Sequence, residues 1–255
     1  MRRHDGRTPT QLRTIAFESN IQPAAAGSVL VRWGNTHIIC AASVENRVPS
    51  HRLASGGGWL TAEYAMLPAS SGQRIRRDRK GVGGRTAEIQ RLIGRSLRAV
   101  FDLDTLGTNT IRLDCDVLNA DGGTRCASIT GAYIAGCMAL RAICDREERM
   151  FKAPPQVAGV SIGIVHDTVM TDLCYLEDST AEVDLNFVSS PTGIIEIQGT
   201  AEGAATHVRS SIRPSQDPVI SLSRWANRQG FKGSNGSAPG HPRTRGPALH
   251  DLCFA

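Results

Sequence analysis

Two pairs of adjacent glycines, Gly83-Gly84 and Gly122-Gly123, each head a segment with the period of a helix, and most of the surrounding chain has the period of strands. Behind the first pair, Ile89, Leu92, Ile93, Leu97 and Val100 recur at helical spacing and predict a helix over about residues 86–101. Behind the second, a helix is predicted over about residues 126–144. Residues 111–117, Ile-Arg-Leu-Asp-Cys-Asp-Val, alternate apolar and polar without a slip, as a half-buried strand does. Residues 27–33 and 37–44 flank the polar turn Gly34-Asn35-Thr36 and read as a hairpin. Residues 157–165 and 168–175 read as another, around His166-Asp167, and residues 183–188 and 194–198 add two strands. Gly56-Gly57-Gly58 precedes the block Trp59 to Pro68, and a polar, basic segment from Ala69 to Val82 reads as a mobile loop. Hairpins interleaved with two helices predict an α+β sheet-and-helix domain.

Several classes fall away on simple grounds. With 255 residues and 40% apolar side chains the chain can bury a core. No apolar run is read as approaching the roughly 18 residues that a membrane span needs, and no apolar segment follows Met1-Arg2-Arg3-His4-Asp5 as in a secretory signal. The seven cysteines (Cys40, Cys115, Cys126, Cys137, Cys144, Cys174 and Cys253) include no CxxC pair, which fits reduced thiols in a cytoplasmic protein. Membrane, secreted and zinc-finger classes are therefore excluded in the expectation.

The net charge of +5 becomes informative only when divided. Residues 204–255 hold seven Lys/Arg and two Asp/Glu, so the remaining residues are neutral overall. That last stretch carries five Pro, five Gly and seven Ser without apolar periodicity, and reads as a weakly ordered basic tail after a body of residues 1–203. Within the body, residues 74–98 carry nine Lys/Arg against Asp78 and Glu88, while residues 172–202 carry seven acids and no Lys or Arg. Such segregation suits a body that handles a polyanion and a cation together.

The chemistry concentrates at the glycine pairs. Gly83-Gly84-Arg85-Thr86 and Gly122-Gly123-Thr124-Arg125 each combine glycines that free backbone N–H groups with a helix N-terminus, an Arg fork and a Thr hydroxyl. Two such turns in one domain predict a phosphate site. In the acidic stretch Glu177 to Asp184, Asp178 and Asp184 would point about 240° apart on one helix or stand about 20 Å apart on one strand. They can share a cation only if the chain turns between them, and Asp178-Ser179-Thr180 is turn-prone. Carboxylates with no His or Cys among them suit Mg²⁺ or Mn²⁺. The run Arg74, Arg76, Arg77, Arg79, Lys80 reads as a track for a nucleic-acid backbone, with no interleaved aromatics for base stacking. Arg91, Arg95 and Arg98 read as an exposed helix face or a subunit contact, and the scattered histidines receive no ligand role.

Long ordered blocks over about residues 2–203 resemble the ribonuclease PH family of phosphate-dependent 3′ exoribonucleases. They are Arg3-His4-Asp5-Gly6-Arg7, residues 26–31, residues 58–68, residues 83–93, the run Leu113 to Arg125, Glu177 to Asn186, and Glu196 to Gly203. The resemblance implies an α+β fold with a left-handed βαβ crossover and a homohexameric ring built as a trimer of dimers. It implies phosphate binding at Arg85, Gly123, Thr124 and Arg125, metal binding at Asp178 and Asp184, and RNA binding at Arg74, Arg76, Arg77 and Arg79. Catalysis would rest on Arg85, Arg125, Asp178 and Asp184, with Mg²⁺ or Mn²⁺ and inorganic phosphate as co-substrate. The implied activity is an RNA nucleotidyltransferase that releases nucleoside 5′-diphosphates from RNA 3′ ends, in tRNA 3′-end maturation and rRNA precursor processing.

Two departures stand out. Cys126 occupies a position that is usually Thr in the family, and after Gly203 the expected amphipathic C-terminal helix is replaced by the basic tail, which suggests a frameshifted or otherwise altered end. The alternatives are a catalytically impaired RNA-binding ring subunit, owing to that altered end, and a hydrolytic metal-dependent exonuclease.

Overall fold

The computed structural model describes residues 3–54, 56–78 and 81–201. A five-stranded sheet contains β1 (Ile15–Ser19), β2 (Gly27–Trp33), β3 (Thr36–Glu45), β4 (Trp59–Met66) and β5 (Thr110–Asn119), in the spatial order β1-β2-β3-β5-β4. A four-stranded sheet contains β6 (Ala158–Val165), β7 (Thr168–Thr171), β8 (Val183–Ser190) and β9 (Gly193–Ala201), in the order β7-β6-β8-β9. Among the described residues four α-helices and a 3-10 turn (Leu103–Leu106) interleave with them: α1 (Ser50–Leu53), α2 (Gly84–Arg98), α3 (Thr124–Arg146) and α4 (Tyr175–Asp178). This is the expected α+β arrangement. β4 and β5 run parallel, so β4, α2 and β5 form a βαβ unit, while the other strand pairs are antiparallel.

α3 joins the two sheets. It packs on β2, β3 and β5 on one side and on β6 and β8 on the other. A helix enclosed in this way carries no polar stripe, and its sequence is apolar and small-residued all round. The close approach depends on small residues: a Cβ on Gly131 would stand 2.6 Å from Val31 and 2.7 Å from the Cys40 sulfur. α3 also corrects the reading that no apolar run reaches membrane-spanning length. An 18-residue window of it has mean hydropathy 1.4, enough by length and composition to cross a bilayer, but 83% of that window is buried within the fold.

α2 is amphipathic. Ile89, Leu92, Ile93 and Leu97 are fully buried, and the helix packs on β4 and α3. It begins two residues before the expected start and ends at Arg98, after which Val100 and Phe101 turn away through N–H bonds to the Leu97 carbonyl. Its basic face is only partly free. Arg91 is exposed, but Arg95 pairs with Glu196 of β9. Arg98 donates to the Leu60 carbonyl and lies 4.7 Å over the Trp59 ring.

The β2–β3 hairpin forms as read. The β6–β7 turn forms at His166 and Asp167, both at positive φ, the conformation that lets a two-residue turn follow strand twist. β7 is shorter than expected. Asp172 takes a φ of 60° and ends it, so Tyr175 opens α4 rather than closing a strand. β1, which pairs with β2, and α1 were not anticipated from the sequence pattern. The six described cysteines are free thiols, and the tail of residues 204–255 with Cys253 lies outside the described residues.

Candidate active site

The turn into α3 is a rigid cradle. Gly122 and Gly123 have φ of 74° and 69°, a region open to glycine and costly for other residues. A Cβ on Gly122 would also meet the Leu173 carbonyl oxygen at 2.6 Å and the Cys174 carbonyl carbon at 2.8 Å, so the turn is pressed against the chain leading into α4. Beneath it lies Arg13, whose guanidinium donates to the carbonyls of Asp121 and Gly122 and to the buried Asp172 carboxylate. Thr124, buried at the first position of α3, shares a hydrogen bond of 3.1 Å with the Tyr64 hydroxyl of β4. Burial pushes the Tyr64 hydroxyl pKa up, against the opposing pull of Thr124, Arg85 and Arg125, and keeps it protonated as a donor.

Arg125 sits where three elements meet. Its Nη2 donates to Glu88 of α2 at 2.9 Å, and Gln198 of β9 donates to the other Glu88 oxygen at 2.9 Å. Burial opposes charge on both partners. The ion pair nevertheless raises the Arg125 pKa and, with Gln198 and the nearby Arg85, lowers that of Glu88. Arg125 Nε is buried and has no hydrogen-bond partner among the described residues. Arg85 is exposed on the first turn of α2, and its charge acts on the same Tyr64 and Glu88 that Arg125 faces. The two predicted arginines thus lie on one side of the molecule, around one carboxylate and one phenol.

One of the two predicted acidic residues reaches this place from the second sheet. Asp184, on β8, raises the pKa of Arg125 and acts on Cys126, so it stands beside the cradle. Asp178 ends α4, and the chain then reverses: the Thr180 and Ala181 N–H groups bond to the Glu177 and Asp178 carbonyls before β8 begins. The turn that a shared cation requires is therefore present. The two carboxylates supply oxygen donors, which fit Mg²⁺ or Mn²⁺ in kind. Cys126 is fully buried against Asn186 at 3.4 Å, and burial drives its pKa up, so it remains a neutral thiol.

The basic loop links the two glycine turns. At one end Ala120 donates to the Ser70 carbonyl at 2.7 Å, and at the other Gly83 donates to the Asp78 carboxylate at 3.1 Å. Arg74, Arg76 and Arg77 are exposed on it, and the charge of Arg77 reaches Asp116 of β5. Arg79 lies outside the described residues.

Sequence reasoning missed the supports. Arg3 donates to both Glu177 oxygens and to the carbonyls of Thr171 and Asp172, and Arg7 reaches Asp172 as well. Burial raises the Glu177 pKa, but bonds from Arg3 and the Cys174 N–H outweigh it and hold the carboxyl at about 2. The N-terminal arm thereby anchors α4. The signal was available in the pair Arg3 and Arg7 of the quoted N-terminal block, but nothing in spacing pointed to their distant partners. His4, Cys174 and Glu177 also offer ligand atoms within 4.8 Å of one another. The guanidiniums of Arg3 and Arg7 already occupy that carboxylate.

Comparison with known proteins gives this geometry a setting. Residues 11–141 match the family model described as 3′ exoribonuclease family, domain 1, and residues 156–208 match domain 2 of the same family. Ribonuclease PH of Rhodococcus erythropolis is 52% identical over 225 residues, covering 86% of this chain and 85% of that protein. Ribonuclease PH of a Mycobacterium species is 53% identical over 216 residues, covering 83% of each. Among solved structures, an Archaeoglobus fulgidus exosome with RNA bound to the active site aligns with a TM-score of 0.73 at 20% identity, covering 91% of this chain and 93% of that one. Rice (Oryza sativa) Rrp46 aligns with a TM-score of 0.68 at 18% identity, covering 88% and 98%. These two likenesses concern the fold.

Proposed function

The chain belongs to the ribonuclease PH group of the 3′ exoribonuclease family, and from that premise we propose how its residues carry out phosphorolysis at an RNA 3′ end. The protein is a phosphorolytic 3′ exoribonuclease, a tRNA nucleotidyltransferase in the reverse sense. Inorganic phosphate is the nucleophile. One oxygen of hydrogen phosphate bonds to the phosphorus of the last phosphodiester, the bond from that phosphorus to the 3′ oxygen breaks, and the shortened strand leaves with its 3′ oxygen carrying the proton that the hydrogen phosphate gives up. The product is a nucleoside 5′-diphosphate.

In this reading Arg125, Thr124 and the backbone at Gly123 hold the phosphate, with Arg85 closing over it from α2. Glu88 fixes the Arg125 fork, and Arg13 holds the turn against reorganisation. Catalysis is then mostly placement and preset charge. Asp178 and Asp184 would hold a Mg²⁺ or Mn²⁺ ion, which would offset charge on the phosphoryl group and the leaving oxygen. Arg74, Arg76, Arg77 and Arg79 grip the RNA backbone without reading sequence. We further propose a homohexamer, a trimer of dimers, acting in the cytoplasm on tRNA precursors and rRNA. The relatives named ribonuclease PH favour an active enzyme over the alternative of an impaired ring subunit.

One observation carries the assignment of roles: Arg125 is half-buried, paired with Glu88, in a place where the charges of Arg85 and Asp184 also act. The test is product separation from a short RNA with Mg²⁺, with and without phosphate. Nucleoside diphosphate formed only with phosphate is the expected result, and monophosphate formed without it would establish hydrolysis. Arg125→Ala removes charge-assisted bonds and should lower phosphate use by about ten- to hundredfold. Unchanged phosphate dependence in that variant would take Arg125 out of the site.

A further inference from the structure

Tyr175 has no evident task in the fold. The residue is 61% exposed, and its hydroxyl makes no hydrogen bond among the described residues. Yet its backbone is fixed in place. The Tyr175 N–H donates to the Asp121 carboxylate at 3.1 Å, and Asp121 is the residue before Gly122-Gly123. Cys174, immediately before it, lies against the Gly122 backbone. At the other side of the single-turn α4, Asp178 is three residues on, and residues at that spacing share a helix face. The backbone of an exposed tyrosine is thus fixed between the proposed phosphate cradle and the residue that carries a proposed metal carboxylate.

We infer that Tyr175 is a stacking platform for the base of the RNA's 3′-terminal nucleotide, a subsite that recognises a nucleobase face and is indifferent to its identity. The inference rests on the proposed function, because it takes the terminal phosphodiester to lie between Arg125 and Asp178. The chemistry follows from what the rest of the site lacks. Arginines, the Thr124 hydroxyl, backbone N–H groups and carboxylates handle phosphate, metal and ribose oxygens, and none of these offers an aromatic face to a base. A phenol ring does so at low conformational cost, and stacking tolerates every base. The platform also supplies a base contact that the basic loop, with no aromatics, cannot.

The experiment is a double-mutant cycle on binding, read by fluorescence anisotropy of a labelled short RNA in Mg²⁺ without phosphate. Wild type, Tyr175→Ala and Tyr175→Phe are each titrated with the normal RNA and with one whose 3′-terminal nucleotide lacks its base. Tyr175→Ala should weaken binding of the normal RNA by about tenfold, and Tyr175→Phe by less than about twofold. Wild type should lose a similar factor on the RNA that lacks the base, and Tyr175→Ala should lose nothing further. The inference is overturned if Tyr175→Ala discriminates between the two RNAs as wild type does, or if Tyr175→Phe is as weak as Tyr175→Ala. It is also overturned if light scattering shows that Tyr175→Ala changes the assembly, which would assign the ring to subunit packing. Failure of the functional reading appears separately, as absence of phosphate-dependent diphosphate release by the wild type.

Discussion

The two glycine turns look alike in sequence and are built differently. At α3 both glycines have positive φ, the first touches backbone that no side chain could displace, and a buried arginine lies underneath. At α2, Gly83 has a φ of −63° in extended backbone, and an added Cβ on Gly84 would meet nothing within 4 Å among the described residues. Arg85 is exposed, whereas Arg125 is held by an ion pair. One turn is a fixed cradle and the other an open arm. The glycine pair announces a place where backbone can face an anion; only the packing around it decides whether the glycines are obligatory.

The contrast can be broken most severely from below. Arg13→Ala leaves the Asp172 carboxylate, 1% exposed, without its main partner. Stranding one member of a buried pair costs about 3–5 kcal/mol, so denaturant unfolding should show a loss of that order and phosphate use should fall with it. No support of comparable burial lies under the α2 turn among the described residues, so a matched change there has nothing to strand.

The glycines themselves sharpen the comparison. Gly122→Ala meets both the positive-φ penalty of about 1–2 kcal/mol and an overpacking cost of about 1–3 kcal/mol. Gly84→Ala meets neither, and should leave stability unchanged or raise it by up to about 1 kcal/mol, since Ala favours a helix. Equal effects in thermal unfolding would erase the distinction between the turns. Acid offers a third approach to the cradle side. The Glu177 pKa is lowered in the fold from 4.5 to about 2, so its clamp on α4 is complete above pH 4.5 and is lost as pH falls toward 2. Glu177→Gln should flatten the loss of stability over that window, measured by unfolding at stepped pH. The smallest effect is expected from Tyr64→Phe, which deletes one bond to Thr124 and should cost about 0.5–1.5 kcal/mol while lowering turnover only a few-fold.

How much of this was legible follows from the range of the interactions. The α2 and α3 helices and the strands after them announce themselves through local period, and the Gly–Gly motifs through neighbouring residues. Even there the reading of residues 168–175 as one strand failed, because a single positive-φ residue, Asp172, ends it. What stayed hidden is long-range. Arg3 meets Glu177 across 174 positions and Arg13 meets Asp172 across 159, and no window of sequence contains both partners. Glu88 and Tyr64 lay inside quoted blocks, but their roles depend on Arg125, Gln198 and Thr124 folding onto them. The α3 membrane-length run was misread for a related reason: composition is local, and the two sheets that cover the helix are not.

The central claim is that the cradle and the arm act on a single inorganic anion. Calorimetric titration of phosphate into the wild type, Arg85→Ala, Arg125→Ala and the double variant tests it directly. One phosphate per chain is expected, with both single variants weakened, Arg125→Ala the more strongly, and no measurable binding in the double variant. Wild-type affinity in either single variant, or a second phosphate that survives in the double variant, would contradict the account.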